Sequence, residues 1–358
     1  MKLLRCSNCQ SRVYFDNSLC VACGHAIAFD PLGMAMIALE PENGGLRRIE
    51  ANGGTAHVCT NSSHGACNWL VSHPEADSFC VACALNRTIP NLSDPRALPA
   101  WQHLEAAKKR LIYSLLRLGL PLSGGAPGEP PLTFDFMTNV KTGHQDGVIT
   151  IDLSEADPVE RERRRNMFAE PYRTLLGHLR HESGHYYCFR LVRGTDRIEA
   201  FRALFGDERQ DYMSALQRHH SSGAPADWQL NNVSAYASCH PWEDWAETWA
   251  HYLHIVDAVE TAEMEGMEPR AAGLVFGSVW PFKSQDAYRT ESFESLMDRW
   301  GPLSLSLNGL SRSMGHVDYY PFVISPVAHK KLAFVHGAIR GHMAVHGAAT
   351  QAKYPAHP

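Results

Sequence analysis

The sequence predicts a small cysteine-rich module followed by a larger domain of mixed helices and strands. Eight of the ten cysteines lie before residue 84, and only Cys188 and Cys239 come later. Beyond the cysteines, apolar residues recur at three- and four-residue steps over 98–118, which is the spacing of one helical face. Strand-like alternation or β-branched residues occupy 132–137 and 148–153. A chain of 358 residues is long enough for two domains.

These patterns divide the chain into four segments. We predict a first cysteine-rich unit over 1–30, a second over 31–92, a larger domain over 93–345 and a flexible tail over 346–358. The segment 89–95 contains two prolines among polar residues, which is typical of a linker. Within the larger domain the sequence predicts helices over 171–190, 241–259, 291–300 and 327–339. A proline stands at the start of the first two, as expected for a helix N-terminus.

The charge balance and the N-terminus argue against several classes of protein. The 33 Lys and Arg residues against 38 Asp and Glu residues give a net charge of -5, which does not favour nucleic acid or an anionic membrane as partner. No apolar run reaches the roughly 18 residues of a spanning helix. The segment 1–6 lacks the apolar stretch of about 7–15 residues that a secretion signal needs. We therefore expect a cytoplasmic protein, and in that reducing compartment paired cysteines bind metal more often than they form disulfides.

Two CxxC pairs at the N-terminus predict a zinc ribbon. The pairs are Cys6 with Cys9 and Cys20 with Cys23, separated by ten residues. Each CxxC turn can direct two thiolates at one ion, and structural Zn²⁺ takes four such ligands. Gly24 suits the tight turn after the second pair. Redox CxxC motifs are the alternative, but no strand–helix–strand pattern surrounds these pairs.

A second group of four cysteines predicts a further structural zinc site. Cys80 and Cys83 form a CxxC pair, whereas Cys59 and Cys67 are spread over a longer loop. Three neighbouring histidines leave open the replacement of a cysteine as ligand: His57, His64 and His73. We favour four cysteines and place the histidines in surface loops. Both cysteine sites are expected to be closed and to contribute to folding rather than to chemistry.

The motif HExxH occurs once, from His181 through Glu182 to His185, inside the helix predicted over 171–190. Residues four apart lie on one helical face, so both imidazoles can reach the same Zn²⁺. Glu182 then stands beside a metal-bound water and can act as general base. The extended motif that supplies a third histidine downstream is missing, because Cys188 and Leu191 occupy the required positions.

A later helix offers the third ligand as a carboxylate. Pro241 can open this helix, and Glu243 and Glu247 then lie one turn apart on the same face. One carboxylate can bind the metal while the other orients a histidine. We predict Glu243 as the ligand and Glu247 as the orienting group, with the reverse assignment as the alternative.

These motifs resemble a known class of enzyme. HExxH followed by a helical ExxxE resembles the gluzincin metallopeptidases. The run His-Pro-Trp-Glu-Asp-Trp-Ala-Glu-Thr-Trp-Ala-His-Tyr-Leu-His over 240–254, with the cysteine-rich start, resembles a bacterial family of zinc-binding metallopeptidases that carry an N-terminal zinc ribbon. The resemblance extends from Cys6 to about Ile339. It implies an α+β, gluzincin-like catalytic domain preceded by a small zinc-ribbon module.

The expected function is zinc-dependent hydrolysis of a peptide or protein substrate, using one catalytic and two structural Zn²⁺ ions. Tyr236 lies seven residues before Glu243 and is our candidate for stabilising the oxyanion, with a packed aromatic as the alternative. Tyr212 and His240 are further candidates for that role. The strand at 148–153 is expected to be a sheet edge to which an extended substrate adds.

Two other functions remain open at the level of sequence. The first is an adaptor protein that binds through its zinc ribbons and carries an inactive peptidase-like domain. The second is a zinc hydrolase that acts on a non-peptide amide, because the same water activation serves both kinds of substrate. The number of bound zinc ions distinguishes the first alternative from an enzyme.

Overall fold

The computed structural model describes residues 2–51, 53–74, 78–124, 129–167, 174–267 and 286–353. The strands are β1 (Leu4–Arg5), β2 (Arg12–Val13), β3 (Ala26–Asp30), β4 (Ala35–Glu42), β5 (Gly45–Ile49), β6 (Thr55–Ala56), β7 (Asn86–Thr88), β8 (Thr133–Met137), β9 (Gly143–Gln145) and β10 (Val148–Asp152). The helices are α1 (Ala97–Arg117), α2 (Pro158–Met167), α3 (Leu175–Leu191), α4 (Ile198–Phe205), α5 (Tyr212–Ser222), α6 (Trp228–Asn231), α7 (Pro241–Met264), α8 (Phe293–Ser313) and α9 (Pro326–Lys353). The chain is thus a mixture of helix and sheet, as the sequence predicts.

The chain forms two compact units. One comprises Lys2–Arg164 with the terminal residues 346–358, and the other comprises Arg165–Val345. All eight N-terminal cysteines belong to the first unit, whereas the HExxH motif and the ExxxE helix belong to the second. The predicted boundary at 92/93 and the predicted flexible tail remain predictions.

The described residues of the unit Lys2–Arg164 form three small sheets, together with α1 and the first part of α2. β1 and β2 form an antiparallel pair, β3 to β6 form an antiparallel meander, and the third sheet has the order β7-β8-β10-β9. An aromatic cluster fills the space between α1 and the meander, because Tyr113 contacts Phe15 at 5.7 Å and Phe29 at 6.2 Å between ring centroids. Trp69 packs on the same two phenylalanines. The first unit therefore has a hydrophobic core in addition to its cysteines.

The strand predicted over 148–153 is confirmed as β10, but its predicted position at a sheet edge is wrong. β10 pairs in parallel with β8 on one side and antiparallel with β9 on the other. β9 covers Val148, Ile149 and Thr150, so β10 is an interior strand, and β7 and β9 form the edges of the described sheet. The sequence pattern alone did not reveal β9, a strand of only three residues.

Helices dominate the unit Arg165–Val345. The predicted helices over 241–259 and 327–339 are confirmed as parts of α7 and α9, and the helix predicted over 291–300 is confirmed as the first part of α8, which begins two residues later at Phe293. The predicted helix over 171–190 is also present as α3 from Leu175, and its predicted start at Pro171 lies outside the described residues. Thr174 is its N-cap, because the Thr174 hydroxyl accepts a hydrogen bond from the Gly177 backbone N–H at 2.9 Å.

The close crossing of α3 and α7 positions the site. A Cβ atom added to Gly184 would lie 2.9 Å from the Ala246 Cα and 3.1 Å from the Trp249 ring. The indole N–H groups of Trp245 and Trp249 donate to the Gly184 carbonyl and the Ser183 hydroxyl at 2.8 and 3.1 Å. Only a residue without a side chain lets the two helices approach this closely.

Gly184→Ala is expected to lower the free energy of unfolding by about 1–3 kcal/mol, because overpacking pushes α3 away from α7. Urea unfolding measures the change. Gly337→Ala is the matched control, since Gly337 also lies in a helix but a Cβ there meets nothing within 4 Å. The control should be neutral or gain up to about 1 kcal/mol from helix propensity. Equal behaviour of the two variants would contradict the tight crossing.

Among the described residues, no helix is long and apolar enough to cross a membrane.

Candidate metal centres

The first cysteine group lies at the turns between short strands. The Cys6 and Cys23 sulfurs are 3.8 Å apart and the Cys9 and Cys20 sulfurs 3.6 Å apart, too far for disulfides. Four sulfurs at about 2.3 Å around a tetrahedral Zn²⁺ would be separated by about 3.8 Å. The pKa of Cys23 is lowered to about 5, chiefly because the His25 backbone donates a hydrogen bond to its sulfur. The thiols thus have the spacing of a metal tetrahedron.

Gly24 closes this group as the sequence predicts. Its backbone N–H donates to the Cys20 carbonyl at 2.8 Å, and its φ of 75° is in the left-handed region that glycine adopts at low cost.

The second cysteine group is buried throughout. Cys59, Cys67, Cys80 and Cys83 bring their sulfurs within 4.8 Å of one another, and the Cys67 and Cys80 sulfurs are 3.6 Å apart. The three histidines left open as alternative ligands are all exposed and lie outside the four-thiol group: His57, His64 and His73. Four thiolates buried together would be costly unless a metal ion balanced their charge.

The third group joins α3 to α7. One ligand atom from each of His181, His185 and Glu243 lies within 4.8 Å of the others. The Glu243 Oε2 atom is 3.0 Å from the His181 Nε2 atom and 3.6 Å from the His185 Nε2 atom. Tetrahedral Zn²⁺ with bonds of about 2.1 Å separates its ligand atoms by about 3.4 Å. Two imidazole nitrogens and one carboxylate oxygen are also the donor set of catalytic zinc sites.

The hydrogen-bonding geometry of His181 requires a proton or a metal ion between its Nε2 atom and the Glu243 carboxylate. Its Nδ1 lies 2.6 Å from a carboxylate oxygen of Glu247, which can only accept, so Nδ1 carries the proton. In the neutral ring, Nε2 then presents a lone pair to the Glu243 carboxylate. The Glu243 Oε2 atom is buried and accepts no hydrogen bond. Two facing acceptors are stable only with a proton or a metal ion between them.

The electrostatics agree with this geometry. Burial by itself lowers the pKa of His181, but the contacts with Glu243 and Glu247 raise the pKa well above its usual value. For Glu247, burial is opposed by the His181 ring, and the pKa is lowered to about 2. The site therefore holds two carboxylates in their charged form and favours positive charge between them.

Comparison with known proteins agrees with the geometry. The family model described as "Putative zinc-binding metallo-peptidase" matches residues 97–338, and a model described as a zinc-ribbon domain matches residues 3–94. This chain belongs to that metallopeptidase family. It is 41% identical, over 95% of its own length and 95% of theirs, to uncharacterised proteins of Mycobacterium bovis and Mycobacterium tuberculosis. No solved structure matches the chain.

Two tyrosines of this metallopeptidase-family chain flank the His/Glu group. The Tyr236 ring centroid is 5.9 Å from that of His181. Tyr212 donates a hydrogen bond from its hydroxyl to the Glu243 Oε1 atom at 2.8 Å. Burial, followed by the nearby Glu243 charge, raises the pKa of both phenols, so both keep their protons. The charge of Glu182 makes a smaller contribution that also raises the pKa of both phenols.

His240, the other candidate for oxyanion stabilisation, has a structural contact in this family member. Its Nδ1 accepts a hydrogen bond from the Trp242 backbone N–H at 3.1 Å and so caps the N-terminus of α7. The first turn of α7 is thereby fixed, and this turn carries Glu243.

Sequence reasoning missed two contacts around the metallopeptidase site. The Ser234 hydroxyl donates to the second carboxylate oxygen of Glu247 at 2.6 Å, and the Trp242 ring stacks on His185 at 5.5 Å between centroids. Ser234 lies 13 residues before its partner, in a loop whose conformation no local periodicity predicts. Trp242 directly precedes Glu243, so its nearness to the site could have been inferred from the helix alone.

Proposed function

We propose that the protein is a zinc-dependent peptidase of the gluzincin type, which hydrolyses peptide bonds. One observation carries the proposal: His181, His185 and Glu243 converge from α3 and α7, while Glu182 follows His181 directly and remains partly exposed. A structural zinc site is closed by four protein ligands, whereas a catalytic site has three and keeps one position for water.

Each residue has a separate role in the proposed mechanism. A zinc ion at this site would lower the pKa of bound water to about 7 and polarise the substrate carbonyl. Glu182 takes the proton from the attacking water and passes it to the leaving amine. Tyr236 donates its phenolic proton as a hydrogen bond to the developing oxyanion. Glu247 and Ser234 hold the His181 ring in the tautomer that leaves Nε2 free to bind metal.

Tyr236→Phe is expected to lower kcat by about 10²–10³-fold, the usual effect of removing one oxyanion donor. Zinc content should not change, since Tyr236 is not in the ligand group. Steady-state kinetics on a peptide substrate measure the effect, and Tyr212→Phe is the comparison. Because Tyr212 hydrogen-bonds Glu243, its loss should weaken zinc binding more than it lowers kcat of the zinc-loaded protein. A kcat unchanged by Tyr236→Phe would remove this residue from the mechanism.

Substitution of the two glutamates should separate ligand from orienting group. Glu243→Ala is expected to abolish zinc binding at the third site, because a carboxylate ligand is lost. Glu247→Gln should weaken zinc binding only by about 10–100-fold, the usual cost of altering a group that orients a ligand. Competition with a fluorescent zinc chelator measures both affinities. The reverse order of effects would assign Glu247 as the ligand.

The metal content of the whole chain tests the enzyme proposal against the adaptor alternative. The purified protein should contain three zinc ions, one for each ligand group, and His185→Ala should contain two. His316→Ala, at an exposed histidine, is the matched control and should contain three. A peptide library should be cleaved by the wild-type protein and not by His185→Ala. Three zinc ions without any peptide cleavage would favour the non-peptide amide alternative.

The cysteine groups complete the proposal. We assign one structural zinc ion to each, and we place the protein in the cytoplasm, where cysteines do not form stable disulfides. The substrate is a peptide or protein.

A further inference from the structure

Lys331 on α9 is a buried lysine that connects three elements of the unit Arg165–Val345. Its ammonium donates hydrogen bonds to the Asp244 carboxylate on α7 and to the Asn231 backbone carbonyl, the latter at 2.7 Å. Lys331 is 3% exposed and Asp244 is 2% exposed, so water is excluded from this ion pair. One ammonium therefore connects α9 both to the first turn of α7, which carries the zinc-ligand candidate, and to the end of α6.

The segment 231–238, which begins at the carbonyl that Lys331 binds, carries two side chains of the candidate metal centre. The Ser234 hydroxyl donates to Glu247 at 2.6 Å, and Glu247 in turn lies 2.6 Å from the Nδ1 atom of His181. The Tyr236 ring centroid is 5.9 Å from that of His181. The position of this segment therefore determines both the orientation of a metal ligand and the place of the proposed oxyanion donor.

The first turns of α9 support this segment through apolar and polar contacts. Ala328 packs with Val233 and Ala237 in one buried cluster. Lys331 lies three residues further along α9, on the same helical face, and binds the Asn231 carbonyl. The apolar contacts hold the segment close to α9, and the hydrogen bond of the lysine fixes the point at which the segment leaves α6.

A buried pair of charges adds little net stability, because the lost hydration of both groups largely offsets their attraction. A directional ammonium can nevertheless fix two acceptors relative to each other. We propose that Lys331 is a positioning residue, which fixes the segment 231–238 against α7. Two side chains of that segment, Ser234 and Tyr236, thereby keep their places at the metal centre. The inference rests on the proposed function and extends it to a residue outside the ligand group.

The test uses the double variant Lys331→Met/Asp244→Asn, called the charge-free variant, because removal of the lysine alone would leave a buried, unpaired carboxylate. Its urea midpoint of unfolding should stay close to the wild-type value. Its affinity for zinc at the third site should fall about 10-fold, since Glu247 loses a fixed partner. Competition with a fluorescent zinc chelator measures this affinity. Lys330→Met, at the exposed neighbouring lysine, is the matched control and should keep the wild-type affinity.

Ser234→Ala tests whether Lys331 acts through the segment. Ser234→Ala alone should lower the zinc affinity by a similar factor. When the charge-free substitutions are added to Ser234→Ala, they should lower the affinity by less than about twofold further, because residues that act through one another have non-additive effects. Losses that multiply, or a zinc affinity unchanged in the charge-free variant, overturn the positioning role while the metal centre stands.

Kinetics separate positioning from a merely structural role. With zinc saturating, the charge-free variant should have a kcat about 10²-fold lower on a peptide substrate, since small displacements of a catalytic group have this effect, and a KM within about twofold of wild type. A lowered urea midpoint with wild-type kcat would make Lys331 merely structural and overturn the inference. In Tyr236→Phe, the same substitutions should change kcat little further. The expected zinc affinities in a protein that cleaves no peptide would overturn the peptidase function and leave the positioning of the segment by Lys331.

Discussion

Glu182→Gln is expected to lower kcat/KM for peptide hydrolysis by about 10²–10⁴-fold while zinc content stays at the wild-type value. Glutamine has nearly the same shape as glutamate but cannot take a proton from water. Glu182 lies between His181 and His185 in sequence, yet it is not in the group of converging ligand atoms. The loss corresponds to about 3–5 kcal/mol of transition-state stabilisation. Zinc analysis and steady-state kinetics on the same preparation measure both quantities.

Glu294→Gln is the matched control for this experiment. Its carboxylate is in the same compact unit and 72% exposed, so the substitution removes the same charge away from the metal centre. The control should retain wild-type kcat/KM and zinc content. Equal activity of Glu182→Gln and the control would exclude Glu182 as the base. Loss of zinc in Glu182→Gln would instead make it a residue that supports the ligands.

The sequence predicts which side chains converge in each candidate metal centre where the geometry is local. Two residues four apart on a helix must share a face, and the observed convergence of His181 with His185 on α3 follows directly. The same rule places Glu243 and Glu247 on one face of α7. A CxxC turn is likewise a local structure. Each of these predictions concerns residues no more than four positions apart in the sequence.

The sequence did not predict the contacts between residues that are far apart in the chain. The hydroxyl of Tyr212 reaches Glu243 across 31 residues, and no periodicity indicates that α5 packs near α7. The interior position of β10 depends on its pairing with β9, which a three-residue strand does not signal. Gly184 was visible only as one of the two variable positions in the motif. Its need for a glycine follows from the approach of Ala246, a residue from another helix.

Loss of zinc from the buried cysteine group should have the largest effect on folding. Structural Zn²⁺ in small domains contributes about 10–16 kcal/mol of binding free energy. A typical domain is stable by only about 5–15 kcal/mol, so the ion outweighs the net stability. The four sulfurs of this group are buried, and Cys80 is fully buried. Without the ion, the thiols would remain in a water-excluded site with few hydrogen-bonding partners.

We therefore expect Cys80→Ser to contain one zinc ion fewer and to unfold the unit Lys2–Arg164. Near-UV circular dichroism should show the loss, because the Phe15, Trp69 and Tyr113 cluster belongs to this unit. Limited proteolysis should cut before residue 165 and spare the remainder. Cys239→Ser, at a cysteine outside both groups, is the control and should keep its zinc and its fold. A folded Cys80→Ser variant that lacks one zinc ion would show that the aromatic core alone can hold the unit, and the ion would then have another role.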